Sequence, residues 1–149
     1  MQEDKLNQDK FDLERFVFQQ EDSYQFALSE IKAGKKSSHW MWFIFPQIDG
    51  LGYSSMARRY SIKSLDEAKA YLEHPILGPR LKECAEALME IEGKTAEEIF
   101  GFPDVLKLKS SMTLFEKAVG ENSVFSSVLE KYFNGTRDSL TLDILNRQS

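Results

Sequence analysis

The chain has almost none of the residues that build covalent or metal-held frameworks: in 149 residues there is one cysteine, Cys84, and there are two histidines, His39 and His74. A single thiol cannot close an intramolecular disulfide, so Cys84, within a segment of helical pattern, is expected to be a buried free thiol. Two histidines far apart in sequence would need distant carboxylates to hold a metal, and no ligand spacing suggests such a set. No metal and no cofactor is expected. Basic residues do not predominate either, since 19 Lys and Arg against 24 Asp and Glu leave a formal charge of −5. That balance argues against a nonspecific nucleic-acid binder, which carries a basic footprint, while leaving room for a local basic patch. The longest apolar run, Trp40 to Phe45, has six residues, against the ~20 needed to span a bilayer. Met1 to Lys10 is polar and mixed in charge, unlike a signal or transit peptide, so a cytoplasmic protein with no membrane partner is expected. The eight glycines and four prolines form no linker, and repeats and low-complexity tracts are missing, which gives a second domain little support.

What is present suits one core. An apolar fraction of 42% with 29% charged and 12% aromatic residues is ordinary for a globular chain, and this length buries about two-thirds of the unfolded surface. Runs of alternating apolar and polar residues between turn signals are absent, whereas helical periodicity recurs throughout. Leu13, Phe16, Val17, Phe26, Ala27 and Ile31 suit two consecutive helical segments, broken near Glu21 and Asp22 and stopped by Gly34. Ser37 or Ser38 is placed to cap a short helix through Trp42, and Ser54 another to Tyr60. Ser64 with Glu67, and Thr95 with Glu98, have capping-box spacing. His74 suits a C-terminal cap favoured by the helix dipole, followed by Pro75 in a first turn. Leu77 to Ile91 and Val105 to Val119 trace long apolar stripes. Asn122 is placed to cap a helix to Phe133, closed by Asn134-Gly135, and Asp138 a last one through Leu145. The expected fold is all-α, a compact single-domain bundle of about seven to nine short and medium helices over 12–149, behind a flexible lead over 1–11.

One stretch, Ser38-His39-Trp40-Met41-Trp42-Phe43-Ile44-Phe45-Pro46-Gln47, followed by Gly50-Leu51-Gly52, Ser55-Met56-Ala57 and Tyr60, resembles the signature of the domain of unknown function 1810 family of bacteria. Further blocks fit the same family: Tyr71-Leu72, His74-Pro75, Leu77-Gly78 and Arg80-Leu81, then Ile99-Phe100-Gly101 with Asp104 and Lys107-Leu108, and finally Ser110 to Phe115. The likeness runs roughly from Asp12 to Leu145. It implies an all-helical fold and brings no settled activity, substrate or catalytic residue. Some members carry the label "calpastatin", and no pattern in this chain supports protease inhibition.

The candidate site therefore rests on residue chemistry. A buried indole needs a hydrogen-bond partner, which makes Trp40 and Trp42 unusual choices for plain packing. Either ring is a candidate stacking wall for a planar group, with His39 or Gln47 addressing its polar edge; the alternative is that both indoles are core and His39 bonds a backbone carbonyl. Gly52 and Ser54 belong to a loop entering a helix, suited to an anion or simply to a tight turn. On a helix Lys107, Ser110 and Ser111 are spaced at three and four and, with Thr113, suit either an anionic group or close helix packing. No nucleophile elbow, Cys-His arrangement or glycosidase carboxylate pair is present. The leading expectation is a pocket for a small anionic, nucleotide-like molecule, whose enzymatic version is N-glycosidic hydrolysis or transfer on a phosphoribosyl-type compound with His39 or Asp104 as general acid or base. The alternative is a protein-interaction or regulatory module without enzymatic activity, marked by an exposed aromatic patch.

Overall fold

The structure is a computed structural model that describes residues 9–148; most of the expected lead, residues 1–8, lies outside them. Helix α1 (Glu14–Lys32) buries Phe16, Val17, Gln20, Tyr24, Ala27, Leu28 and Ile31. That three-and-four spacing continues through Glu21 and Asp22, which are exposed, so the expected break does not occur: charges on the solvent face leave the backbone bonds intact. The short helices α2 (Met41–Ile44) and α3 (Ser55–Arg59) follow, then α4 (Leu65–Glu73), α5 (Leu77–Glu90), α6 (Ala96–Phe100), α7 (Asp104–Val119), α8 (Val124–Phe133) and α9 (Ser139–Gln148). Among the described residues these nine helices make an all-α single domain, with one isolated parallel bridge between Ile48 and Ile62 in place of any strand.

Caps decide most of the boundaries. Ser54 accepts the amide of Ala57 at 3.1 Å, and Thr95 with Glu98 forms the complete reciprocal box. The Ser64 box is half-formed: Ser64 accepts the Glu67 amide, but the Glu67 carboxylate takes the Lys63 amide instead. Ser123, rather than Asn122, caps α8. His74 is the C-cap residue of α4, as expected, its amide donating to Tyr71 O, but its ring serves the next helix. His74 Nδ1 accepts the amides of Ile76 and Leu77, at 3.1 and 3.2 Å, so the imidazole caps the start of α5 as a neutral acceptor rather than meeting the α4 dipole as a cation. Burial lowers its pKa against the opposing pull of Glu14 and Asp9.

α7 packs against α4, α6, α8 and α9, while α5 packs against α1, α4 and α8. A chain of rings crosses the core from Phe16 to Tyr71, Phe115 and Phe125, with successive centroids 5.2, 5.3 and 5.8 Å apart. Beside it lies a buried ion pair, Arg15 with Glu67 at 2.8 Å. All five guanidinium N–H donors of Arg15 are used: on Glu67 and on the carbonyls of Phe11, Asp12, Arg59 and Ser61. This network ties the segment 59–61 to α1 and α4, and that segment forms the back of the candidate site.

Candidate functional site

The cleft starts from α2, a single turn wedged on α1. Its residues Met41 and Phe43 to Phe45 are core, and Trp42 is the half-buried member that reaches the surface. Beyond Pro46 the chain crosses to Ile62, whose amide donates to Gln47 O at 2.8 Å and whose carbonyl accepts the Asp49 amide at 2.8 Å. These bonds hold Gln47, Ile48 and Gly50 against Tyr60 and Ser61, and α7 brings Lys107 across the mouth. The cleft is open to solvent, and the space within it is about 10 Å³, on the order of one water.

At the mouth the Lys107 ammonium lies 5.0 Å from the centroid of the Trp42 ring and 3.4 Å from Asp104 Oδ1. The other oxygen of Asp104 meets Lys36 Nζ at 2.8 Å. Lys36 is the buried member, donating also to Ser38 O at 2.6 Å and lying 5.1 Å from the Trp40 ring. Two ammonium groups and one carboxylate leave this cluster with one positive charge. Inside the cleft the Gln47 side-chain amide and the Tyr60 hydroxyl bond to no other described residue. The Ser61 hydroxyl, in contrast, is engaged with Asp49 at 2.9 Å and Lys63 at 2.8 Å.

Of the residues singled out from sequence, Trp42, Gln47, Gly52 and Lys107 come together here. Trp40 does not line the cleft: it is 1% exposed, packs edge-on against Phe100, and donates its indole N–H to Glu30 at 2.9 Å. Glu30 is the hub of that corner. Burial pushes its carboxyl up, but the Ser38 hydroxyl, the Ser37 amide and the Trp40 indole outweigh burial and hold its pKa at about 2. Ser37 and Ser38 therefore serve Glu30 rather than capping α2. His39 is exposed and outside the lining, and Ser54 is an ordinary helix cap. The loop glycine has a packing reason, because a Cβ on Gly52 would sit 2.7 Å from that of Ala57.

The hydroxyls of α7 do not converge with Lys107. Ser110 donates to Asp138 at 3.0 Å, and Thr113 Oγ1 accepts the Asp138 amide at 2.9 Å, so both fasten the start of α9. Ser111 is fully buried, and its hydroxyl has no partner among the described residues. Sequence reasoning passed over Tyr60 and Ser61 as site residues. Only the Ile48–Ile62 bridge brings them opposite Gln47, and no local pattern announces that pairing.

Fold and cleft together define an all-helical protein with a narrow cleft that has Lys107 at its mouth. The chain belongs to the family described as protein of unknown function (DUF1810), which matches residues 10–145. It is similar to the conserved hypothetical protein Rv1873 from Mycobacterium tuberculosis, whose crystal structure at 1.38 Å shares 51% identity and a TM-score of 0.90 over 92% of this chain and 98% of that one. No curated protein matches the chain. No helix among the described residues is long and apolar enough to cross a membrane.

Proposed function

We propose that the cleft binds a small anionic molecule whose charged end meets Lys107 and whose polar edge meets the Gln47 amide. The observation that carries this reading is the position of Lys107, which arrives from α7 over the Trp42 ring at the mouth of the cleft that also holds Gln47 and Gly52. A cation partly covered by an aromatic face and shared with one carboxylate can turn to a stronger anionic partner at small cost. The single net positive charge of the Lys36–Asp104–Lys107 cluster favours one negative charge, such as a carboxylate or phosphodiester, over a polyphosphate. With room for one water inside, the cleft takes an end group while the remainder of a nucleotide-like ligand lies against Trp42.

Asp104 is the carboxylate at this mouth and the candidate general acid or base for N-glycosidic hydrolysis or transfer on a phosphoribosyl-type compound. In that version Asp104→Asn abolishes turnover and leaves binding intact; full activity in the variant sinks it. The rival reading, a protein-docking surface, draws on Phe102 and Leu106, 72% and 52% exposed on either side of Asp104 in sequence.

The deciding experiment is a thermal-shift screen against carboxylates, nucleotides and sugar phosphates, run on the wild type and Lys107→Ala. A ligand at 100 times its Kd stabilises the fold by ~2.7 kcal/mol. Stabilisation by a monoanion that disappears in the variant supports the cleft; equal stabilisation of both proteins places the anion elsewhere and overturns the proposal.

A further inference from the structure

Lys36 stands outside the lining of the cleft, yet it bears on how much charge the cleft presents. Its backbone is fixed: the Lys36 amide donates to Ile99 O of α6 at 2.7 Å, and the amides of Ser37 and Ser38 donate to the Glu30 carboxylate. The side chain is 8% exposed, and its ammonium bonds Asp104 Oδ2 at 2.8 Å and Ser38 O at 2.6 Å while lying 5.1 Å from the Trp40 ring. All of these contacts are internal, so Lys36 is not offered to a ligand.

Lys107 is held differently. Its ammonium is 3.4 Å from the other oxygen of Asp104 and 5.0 Å from the Trp42 ring, makes no further ion pair or hydrogen bond among the described residues, and lines the cleft. A carboxylate between two ammonium groups is attracted more strongly to the nearer and less solvated one, because Coulomb attraction grows as distance and local dielectric fall. Asp104 is thus spent mainly on Lys36, and the charge of Lys107 stays largely uncompensated. Without Lys36 the same carboxylate would face Lys107 alone and cancel it, leaving the mouth neutral on a chain whose formal charge is −5.

We infer that Lys36 is a positioning residue of the cleft: by holding Asp104 it keeps Lys107 available and sets the mouth for a ligand end that carries one negative charge. This rests on the reading of the cleft as an anion site, but its first test needs no ligand. The chain has two tryptophans and Trp40 is 1% exposed, so quenching of the emission reports chiefly on Trp42. Quenching by iodide, an anion, divided by quenching by caesium, a cation, measures the charge at the mouth, and the ratio cancels a change in exposure. In the full-length protein at fixed ionic strength, the ratio should fall several-fold in Lys36→Met, rise in Asp104→Asn and return to the wild-type value in the double variant. The cluster carries 0, +2 and +1 in these proteins, against +1 in the wild type. Lys82→Met, which removes an exposed charge on α5 outside the lining, should leave the ratio unchanged.

Equal ratios in the wild type and Lys36→Met, or an equal fall in Lys36→Met and Lys82→Met, overturn the inference. A flat response in Asp104→Asn overturns it as well, whether or not Lys36→Met folds. Removing Asp104 would not restore the ratio if Lys36 were merely structural. Benzoate, a planar monoanion, and phenyl phosphate, its dianionic counterpart at about pH 8, separate the role of Lys36 from the reading beneath it. The wild type should favour benzoate, and Asp104→Asn should shift the preference toward phenyl phosphate. Benzoate binding that is lost in Lys107→Ala and unchanged in Lys36→Met sinks the role of Lys36 alone. The expected order of quenching ratios with neither probe bound sinks the binding reading alone.

Discussion

Lys107 and Trp42 are 65 residues apart (107 − 42) and meet face to cation, with the ammonium 5.0 Å from the ring centroid. The contact joins α7 to the single turn of α2 at the mouth of the cleft. Because Lys107 also touches Asp104, its removal leaves Asp104 with Lys36 alone. Lys107→Ala should therefore cost the fold less than about 1 kcal/mol, as partly exposed pairs do. A loss of several kcal/mol in denaturant titration would mean that Lys107 is a structural residue first.

Lys36 should behave differently. Its side chain is 8% exposed and its ammonium bonds Asp104 and Ser38 O while facing Trp40. Lys36→Met removes a buried charge whose partner retains Lys107, so a destabilisation of about 2 kcal/mol is expected, below the full cost of orphaning a buried carboxylate. A double-mutant cycle with Asp104→Asn measures the coupling directly, and additive effects would show that the pair contributes nothing.

Glu30 sets an acid limit. Its carboxyl is held at about 2, below its ordinary value of 4.5, by bonds that exist only in the folded chain. A depressed carboxyl contributes stability that is fully present above pH 4.5 and is lost as pH falls toward 2. Glu30→Gln should flatten the stability profile across that window and redden the emission of Trp40 as its indole loses a charged partner. An unchanged acid limb would assign acid unfolding to other carboxylates.

His74 sets a second, milder limit. As a neutral acceptor for two amides at the start of α5 it has a pKa below the ordinary 6.5, through burial. The unfolded chain then takes up the proton first, so stability is complete above pH 6.5 and declines as pH falls below it. His74→Asn keeps a capping acceptor and should remove the decline, while His74→Ala should cost about 1 kcal/mol at neutral pH. Identical pH profiles for wild type and His74→Asn would contradict the cap.

Ser111 tests the core of α7. A buried hydroxyl without a partner costs free energy, so Ser111→Ala should be neutral or stabilise the protein by about 1 kcal/mol. Marked destabilisation would reveal a bound water or other group on that hydroxyl.

Much of this molecule is local and was readable in advance. Ser54, Thr95 with Glu98, and Asp138 cap helices through bonds to residues three positions away, and the apolar stripes of α5 and α7 depend on spacing alone. The site was legible only in part. Trp42, Gln47, Gly52 and Lys107 were recognisable as unusual residues, but their shared cleft depends on the Ile48–Ile62 bridge and on where α7 crosses α2.

What the amino-acid order determined by itself was the helical class, most of the caps and the family, because periodicity and capping are settled within a turn or two of chain. What only the tertiary structure decided was the partner of each polar side chain. Ser110 suited either an anion or helix packing and is spent on Asp138, 28 residues on; Trp40 was a candidate for stacking wall or core and is core, bonded to Glu30; the ring of His74, expected to favour the helix dipole, is a neutral acceptor. A hydroxyl, an indole or an imidazole will satisfy any suitable group within reach, and for the hydroxyls of α7 and the rings of Trp40 and Trp42 that reach is set by the packing of helices distant in sequence.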